Sequence, residues 1–296
     1  MANLDLDIPS VKLPDGNEIP MLGYGTGTAW YKSKPGDIDQ KLVDATKTAI
    51  GMGYHHLDGA EAYGTEPELG KAIKESGIDR SKFFVTTKCT SVTENPQEHL
   101  DASLKKLGLS YVDLYLLHSP FNAKGDKQVL QKAWAAMEEI AASGKAKSIG
   151  VSNYLAEHLD ATLETAKIPP AINQIEYHPY LQHGDLVMYH KNKDIKLSAY
   201  APQVPVTKAS DGPLTPLLEQ LAKKYAVNPG EILLRWVLDQ GIVAITTSSK
   251  EQRMSDMLRT VTFTLTPREI EQISETGKSH HYRAFWGHIF DKDDRS

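Results

Sequence analysis

Val112-Asp113-Leu114-Tyr115-Leu116-Leu117-His118-Ser119-Pro120 is a short apolar run that ends in polar residues. The run Val112–Leu117 has the length of a buried β-strand. A helical pattern precedes it at Pro96–Leu107, and another follows at Lys127–Ala142. A strand between two helices is typical of βα units, which build parallel sheets.

The same alternation continues outward from this run in both directions. The predicted strands are Met21–Tyr24, Tyr54–Leu57, Phe83–Thr87, Val112–Leu117, Ser148–Val151, Ala171–Ile175, Ile195–Ala199 and Ile242–Thr246. The predicted helices are Asp37–Gly51, Glu66–Glu75, Pro96–Leu107, Lys127–Ala142, Ala156–Ala166, Asp185–Lys191, Thr215–Tyr225, Gly230–Asp239, Lys250–Leu258 and Pro267–Glu275. Before the first strand, Asp15-Gly16 within Ser10–Pro20 predicts a β-hairpin, and an irregular tail follows the last helix.

Eight strands that alternate with helices favour an α/β fold of the (β/α)₈ TIM-barrel type. Such a barrel commonly takes about 250 residues as one domain, so residues 1–296 are interpreted as a single domain. The rival fold is a doubly wound sheet, which would carry Gly-x-Gly-x-x-Gly after its first strand. The segment Gly23–Thr28 lacks the final glycine at that spacing.

The composition narrows the class of protein. The 296 residues carry a net charge of −5 without a block of like charges, which argues against nucleic acid as the main partner. The single cysteine, Cys89, cannot form an intramolecular disulfide. The sequence has no signal-peptide pattern and no apolar run long enough to span a membrane. We therefore expect a cytoplasmic protein that acts on a small molecule. A monomer or a weak homodimer is the expected state.

Polar residues recur where the predicted strands end. The active site of such barrels is formed at the carboxyl ends of the strands, so these side chains should share one rim. Each of them alone is more commonly a turn residue, a helix cap or a solvated charge. It is their joint occurrence at the strand ends that indicates an active site. The residues are Asp58, Lys88, His118, Ser152, Asn153, Gln174, Glu176, Tyr200 and the segment Thr246–Lys250.

The first of these residues suggest a specific chemistry. Asp58 and Lys88 follow neighbouring strands and are expected to form a buried ion pair. A lysine beside Tyr63 would favour the phenolate and lower the tyrosine pKa from about 10, which suits a general acid. His118 would donate a hydrogen bond to a substrate carbonyl. This set protonates an alkoxide as it forms, and it needs a reductant from elsewhere.

Taken in order, these segments resemble the aldo-keto reductase superfamily over nearly the whole chain. The matching segments are Leu57–Tyr63, Val85–Lys88, Val112–Pro120, Ile149–Asn153 and Asn173–Pro179. Ser119, Thr246–Lys250 and Tyr282–Phe285 look most like the fungal branch, which includes conjugated polyketone and ketopantoyl lactone reductases.

The resemblance implies NADPH-dependent carbonyl reduction, with the cofactor extended across the barrel mouth. Hydride would pass to the carbonyl carbon, and Tyr63, tuned by Lys88 and Asp58, would protonate the oxygen while His118 orients it. The residues implied around the nicotinamide are Ser152, Asn153 and Gln174 for the carboxamide, Tyr200 for stacking, and Gly25, Thr26 and Gly27 for close backbone approach.

The segment Ser248-Ser249-Lys250 with Arg253 suggests a site for the 2′-phosphate. The serines are predicted to cap a helix whose N-terminus attracts phosphate. Lys250 and Arg253 are three residues apart and would share a helix face. From the residues alone, a solvated helix start is an equal interpretation. With the resemblance, NADPH is favoured over NADH, although many family members carry lysine where this chain has Thr247.

Aromatic residues are expected to line the substrate pocket and to favour flat, activated dicarbonyls over sugars. They are Trp30, Tyr31, Phe121, Phe285 and Trp286. Two other functions stay open at this point. One is a metal-dependent barrel hydrolase that uses His56, Asp58, His118 and His178, although the sequence lacks the usual zinc motifs and no metal is expected. The other is a binding protein without catalysis on the same scaffold.

Overall fold

A computed structural model describes residues 6–32 and 36–296 of the chain. It confirms the predicted barrel, because eight parallel strands close into one sheet in which the last strand pairs with the first. The barrel strands are β3 (Leu22–Gly25), β4 (His56–Asp58), β5 (Phe84–Cys89), β6 (Val112–Leu117), β7 (Ala146–Ser152), β8 (Ile172–Glu176), β9 (Lys196–Tyr200) and β10 (Val243–Thr246).

Helices alternate with these strands along the chain. They are α1 (Gln40–Gly51), α2 (Glu66–Ser76), α3 (Pro96–Leu107), α4 (Lys127–Ser143), α5 (Ala156–Leu163), α6 (Leu186–Asn192), α7 (Val204–Thr207), α8 (Thr215–Tyr225), α9 (Pro229–Leu238), α10 (Glu251–Leu258) and α11 (Pro267–Lys278). In residues 6–32 and 36–296, none of the helices combines the length and the apolar character needed to cross a bilayer.

The two-residue period of β6 separates the inside of the barrel from the outside. Leu114 and Leu116 belong to the apolar cluster inside the barrel, whereas Tyr115 and Leu117 pack in the larger cluster around it. Successive side chains of a strand point to opposite faces. His118 continues the inward series, and this register aims its side chain at the carboxyl end of the barrel.

A two-stranded hairpin packs against the inner apolar cluster. It consists of β1 (Ser10–Lys12) and β2 (Glu18–Pro20), which pair antiparallel as predicted. Leu13 and Ile19 of the hairpin are buried together with the apolar side chains inside the barrel. The Asn17 amide donates to Ser148 Oγ near the start of β7, at 3.0 Å. The hairpin therefore covers the amino end, and the carboxyl end is left for the site.

Several strands extend further toward the carboxyl end than the sequence predicted. Asp58, Lys88, Ser152, Glu176 and Tyr200 lie inside their strands, not after them. The physical reason is the barrel ladder, since these polar residues still pair with neighbouring strands. The paired residues are Asp58 with Thr86, Lys88 with Leu116, Ser152 with Gln174, and Glu176 with Tyr200.

Some helix bounds also need correction. The first helix begins at Gln40, not at Asp37, because the Asp39 carboxylate accepts hydrogen bonds from the first free backbone N–H groups. The fifth helix ends at Leu163, not at Ala166. The short helix α7, with Pro205 in its first turn, was not predicted. After α11 the tail has no helix or strand, as expected, and its Tyr282 and Ala284 pack against the core.

Candidate active site

A cavity of about 860 Å³ opens at the carboxyl ends of the barrel strands. It is lined by residues from the strand ends, from the loops that follow them and from the tail. The predicted site residues that line this cavity are Gly25, Gly27, Tyr31, Asp58, Tyr63, His118, Ser152, Asn153, Gln174, Tyr200, Phe285 and Trp286. Those that do not are Thr26, Trp30, Lys88, Phe121, Ser248, Ser249, Lys250 and Arg253.

A buried ion pair lies beneath the cavity floor, as the sequence predicted. Lys88 Nζ lies 2.6 Å from Asp58 Oδ1 and donates to the Gly59 carbonyl at 2.8 Å. It also lies 3.4 Å from the Tyr63 hydroxyl. Lys88 is fully buried and Asp58 is nearly so. A charge in this position costs free energy unless it is paired, and here the lysine has three oxygen partners.

The net pKa of Tyr63 moves in the opposite direction to the sequence expectation, although Lys88 itself acts on this pKa as expected. Burial raises the pKa of Tyr63 above 10, and the opposing effect of the Lys88 ammonium does not fully offset it. Burial also lowers the pKa of Lys88, but Asp58 and Tyr63 reverse this, so the net pKa is raised. At neutral pH the phenol therefore keeps its proton and the lysine keeps its charge.

His118 lies against Tyr63, with the two rings edge to face and their centroids 5.6 Å apart. Burial and the nearby Lys88 ammonium lower the pKa of His118 to about 3. The imidazole is therefore neutral across the physiological range and carries one N–H donor. It can donate a hydrogen bond to a carbonyl oxygen, and it is a poor source of a transferable proton.

A chain of hydrogen bonds crosses the rest of the cavity wall. Gln174 donates to Asp58 Oδ2 at 2.8 Å, which ties the predicted amide cluster to the ion pair. The Asn153 amide donates to the His118 carbonyl at 2.9 Å, and its oxygen accepts from the Tyr200 hydroxyl at 2.7 Å. Trp286 Nε1 donates to the same hydroxyl at 3.1 Å. The strand-end residues and the tail thus form one connected polar wall.

The Gly25–Gly27 turn makes room for Tyr63. A Cβ added to Gly27 would lie 2.9 Å from atoms of the Tyr63 ring, which is closer than side chains tolerate. Thr26 is fully buried and bonds to Thr65 and to the backbone at Asp58. Its side chain supports the turn from behind. The two flanking glycines line the cavity, and their contact with the cofactor stays a prediction.

The phosphate segment is only partly built as predicted. The helix begins at Glu251 with Lys250 as its N-cap, and no side chain caps it. Ser248 Oγ instead accepts a hydrogen bond from the Lys250 backbone N–H at 3.0 Å. The Tyr24 hydroxyl donates to the Ser248 carbonyl at 2.9 Å. Lys250 and Arg253 are exposed and make no ion pair with any described residue. These two cations are therefore available to an anion.

Two of the predicted pocket aromatics, Phe121 and Trp30, do not line the cavity, and their predicted role needs correction. Phe121 packs edge to face on Trp286 and Phe290, at centroid distances of 4.9 and 5.5 Å, and does not line the cavity. Trp30 is likewise outside the lining, whereas its neighbour Tyr31 is 58% exposed and reaches it. Phe285 and Trp286, in contrast, contribute their aromatic side chains to the cavity lining, as predicted.

Sequence reasoning missed several lining residues, among them Thr90, Gln203, Lys208 and His288. Gln203 and Lys208 flank the short helix α7, in the loop region that follows β9. The rule that barrel sites lie at the carboxyl strand ends would have flagged this loop. No comparable signal existed for His288, which lies in the irregular tail.

The metal-site alternative finds no support. Across residues 6–32 and 36–296, no group of three His, Cys, Asp or Glu side chains is placed to hold a metal ion. His178, one of its proposed ligands, is buried and bonds to Glu176 Oε1 at 2.9 Å. His56 bonds to the Pro20 carbonyl at 2.9 Å, next to the hairpin.

The fold and the site define a family. A sequence model described as "Aldo/keto reductase family" matches residues 21–278, and the chain belongs to this family. It is 40% identical to the NAD/NADP-dependent indole-3-acetaldehyde reductase of Schizosaccharomyces pombe over 93% of this chain and 97% of that protein. It is also 40% identical to the NADPH-dependent alpha-keto amide reductase of Saccharomyces cerevisiae over 95% of both chains.

Solved structures agree with this assignment. A Bombyx mori aldo-keto reductase in complex with NADP superposes with a TM-score of 0.82 at 34% identity, covering 91% of this chain and 93% of that one. An aldo/keto reductase from Brucella melitensis superposes with a TM-score of 0.81 at 35% identity, covering 91% of this chain and all of that one.

Proposed function

We propose that this protein reduces carbonyl compounds to alcohols with NADPH, and that Tyr63 is the proton donor. The observation that carries the proposal is the buried Asp58–Lys88 pair, whose ammonium lies 3.4 Å from the Tyr63 hydroxyl at the cavity floor. The arrangement offers a proton and a neutral hydrogen-bond donor, and it contains no activated nucleophile. Family membership and the named reductases among its relatives agree with an oxidoreductase.

The residues present fit NADPH. Lys250 and Arg253 are exposed cations at the start of one helix, which suits a 2′-phosphate. Ser152, Asn153 and Gln174 bring amide and hydroxyl groups to the cavity, which suits a carboxamide, and Tyr200 offers a ring for stacking. When bound, NADPH supplies the hydride that the chain itself lacks. One relative is named for NAD/NADP and another for NADPH, and one solved neighbour is complexed with NADP.

Each catalytic side chain has one task. Tyr63 gives its hydroxyl proton to the alkoxide oxygen as that oxygen forms. Lys88 stabilises the phenolate left behind, because a cation 3.4 Å away favours the charged form. Asp58 holds Lys88 in place and keeps it charged. Neutral His118 donates its N–H to the carbonyl oxygen, which orients the substrate for reduction.

For the substrate, we favour activated vicinal dicarbonyls such as α-diketones, keto-lactones and α-keto amides. A neighbouring carbonyl withdraws electrons and lowers the barrier to hydride arrival. Phe285 and Trp286 present flat apolar surfaces, beside which sugar hydroxyls would lose water without replacement. One relative is named for alpha-keto amides, which are activated dicarbonyls, and another for an aldehyde that carries a flat indole ring.

The test is oxidation of NADPH, followed by its absorbance, with purified protein and a panel of carbonyls. We expect a higher kcat/KM for an α-dicarbonyl than for xylose, and full activity after exhaustive chelation. A sugar reduced equally well would overturn the substrate class alone. If NADPH is not consumed with any carbonyl, the reductase assignment fails.

We also propose that residues 1–296 form one domain, of which residues 1–5 and 33–35 lie outside the described part. The hairpin and the tail both pack against the barrel, which supports this proposal. A cytoplasmic monomer or weak homodimer, without a nucleic-acid or membrane partner, is part of the same proposal. A single unfolding transition and a sedimentation measurement would test the domain count and the oligomeric state.

A further inference from the structure

Glu176 is a buried carboxylate that the proposed chemistry does not use. It ends β8, is 2% exposed and does not line the large cavity. Its carboxylate accepts from two consecutive backbone N–H groups of the tail, those of Ala284 at 2.7 Å and Phe285 at 3.0 Å. His178 Nε2 lies 2.9 Å from the same carboxylate.

These bonds matter because the tail has no secondary structure of its own at this point. The tail backbone also bonds to the barrel loops where Tyr282 N–H donates to the Tyr180 carbonyl, at 3.2 Å. The Arg283 side chain, in contrast, bonds within the tail to the Asp294 carbonyl at 3.3 Å. The Glu176 carboxylate thus accepts from both backbone N–H groups immediately before Trp286.

The residues held in this way form the apolar side of the cavity. The Phe285 ring lies edge-on to Tyr200, with centroids 5.5 Å apart, and Lys208 Nζ lies 4.5 Å from the same ring. Trp286 has a left-handed backbone, with φ of 61°, which turns its indole toward the Tyr200 hydroxyl. A displaced tail would therefore move the substrate wall and remove the Trp286 hydrogen bond from the Tyr200 hydroxyl.

We propose that Glu176 is a positioning residue that docks the tail over the barrel mouth and so sets the apparent affinity for large, flat carbonyl substrates. This proposal rests on the proposed function. A carboxylate suits the place because it only accepts hydrogen bonds, and two donors converge on it. Glutamine has one accepting oxygen, and its NH₂ group would face a backbone N–H, so one buried donor would lose its partner.

Glu231 offers a matched control. It is also a buried glutamate, 3% exposed, and it accepts a backbone N–H, that of Asn228, at 2.9 Å. It caps helix α9 and bonds to Arg259, and it has no contact with the tail. Glu176→Gln and Glu231→Gln therefore make the same chemical change in a buried site, and only the first weakens the docking of the tail.

The experiment compares both variants with the parent protein by steady-state kinetics and by trypsin cleavage after Arg283 and Lys292. For Glu176→Gln we expect KM for an aromatic α-diketone to rise about tenfold, the size typical of losing one charge-assisted hydrogen bond. The kcat should change by no more than about threefold, since Tyr63, Lys88 and His118 are untouched. Cleavage in the tail should become faster. Glu231→Gln should show neither effect.

Equal KM values and equal tail cleavage in the two variants would overturn the proposal. In a Phe285→Ala, Trp286→Ala background, Glu176→Gln should add little to KM, and a full additional effect would also overturn it. If Glu176→Gln does not fold, Ala284→Pro removes one of the two backbone donors to Glu176 from the tail side. An unchanged KM in Ala284→Pro would count against docking of the tail by Glu176. A parent protein without reductase activity refutes the proposed function, and tail cleavage then still decides whether Glu176 docks the tail.

Discussion

The floor of the cavity and its apolar wall are held by different kinds of structure. Asp58 and Lys88 lie on adjacent barrel strands, His118 directly follows the next one, and main-chain hydrogen bonds fix their separation. Phe285 and Trp286 lie in an irregular tail, which side-chain hydrogen bonds and one backbone hydrogen bond tie to the barrel. The reaction chemistry is thus part of the fold itself, whereas substrate selection depends on contacts that can change without disturbing the barrel.

The largest effect should come from the floor. Tyr63→Phe removes the proton donor and leaves the ring in place, so we expect kcat to fall by about 10²–10⁴, as is typical of losing a general acid. NADPH binding, measured by its fluorescence, should be retained. Tyr154→Phe is a matched control, because its buried hydroxyl has no hydrogen-bond partner in residues 6–32 and 36–296, and its loss should leave kcat unchanged. A normal kcat for Tyr63→Phe would exclude it as the donor.

The next effect concerns the ion pair under Tyr63. Lys88→Met should lower kcat about 100-fold by removing the cation that stabilises the phenolate. Asp58→Asn should cost less, because Lys88 keeps its charge. Normal reduction by both variants would remove the electrostatic coupling from the mechanism.

The same ion pair makes a pH prediction. Reduction requires protonated Tyr63, whose pKa is raised by burial, so activity should persist through neutral pH and decline only under strongly alkaline conditions. Because Lys88 lowers this pKa, Lys88→Met should shift the alkaline decline to higher pH. His118, with a pKa of about 3, should give no acid limb between pH 5 and 8. A limb near pH 6.5 in the kcat profile would contradict the neutral histidine.

A smaller effect is expected at the exposed phosphate segment, away from both regions. Arg253→Ala and Lys250→Ala should each weaken NADPH binding about tenfold, which is the size of one charged hydrogen bond. Neither substitution should noticeably change the affinity for NADH. Fluorescence titration with both cofactors would measure this. Equal weakening for NADPH and NADH would mean that the residues support the helix and do not bind the 2′-phosphate.

The smallest effect on KM should distinguish a residue that lines the cavity, Trp286, from one that packs behind it, Phe121. Phe121 packs behind Trp286 and does not line the cavity, so Phe121→Ala should change KM for an α-diketone by only about twofold. Trp286→Ala removes lining surface and the bond to Tyr200, and it should raise KM more. A larger effect at Phe121 would show that the two rings act as one wall.

Much of the site was predictable because strand ends converge in a parallel barrel. Asp58, Lys88, His118 and Gln174 could be identified from apolar runs followed by polar residues, and the structure brings them together. The phenol pKa was not predictable, since a sequence shows which charge lies nearby and does not show how completely water is excluded. The capping by Ser248 and Ser249 was also predicted wrongly, because Ser248 bonds within its own turn.

The sequence by itself determined the barrel, its hairpin and the order of the chemical groups around the rim. These features follow from local periodicity and from the rule that parallel strands present their ends together. Only the tertiary structure decided that Phe121 lies behind Trp286, that Glu176 binds the tail, and that burial outweighs Lys88 at Tyr63. Contacts between distant segments and the exclusion of water depend on packing in three dimensions, and no local pattern encodes them.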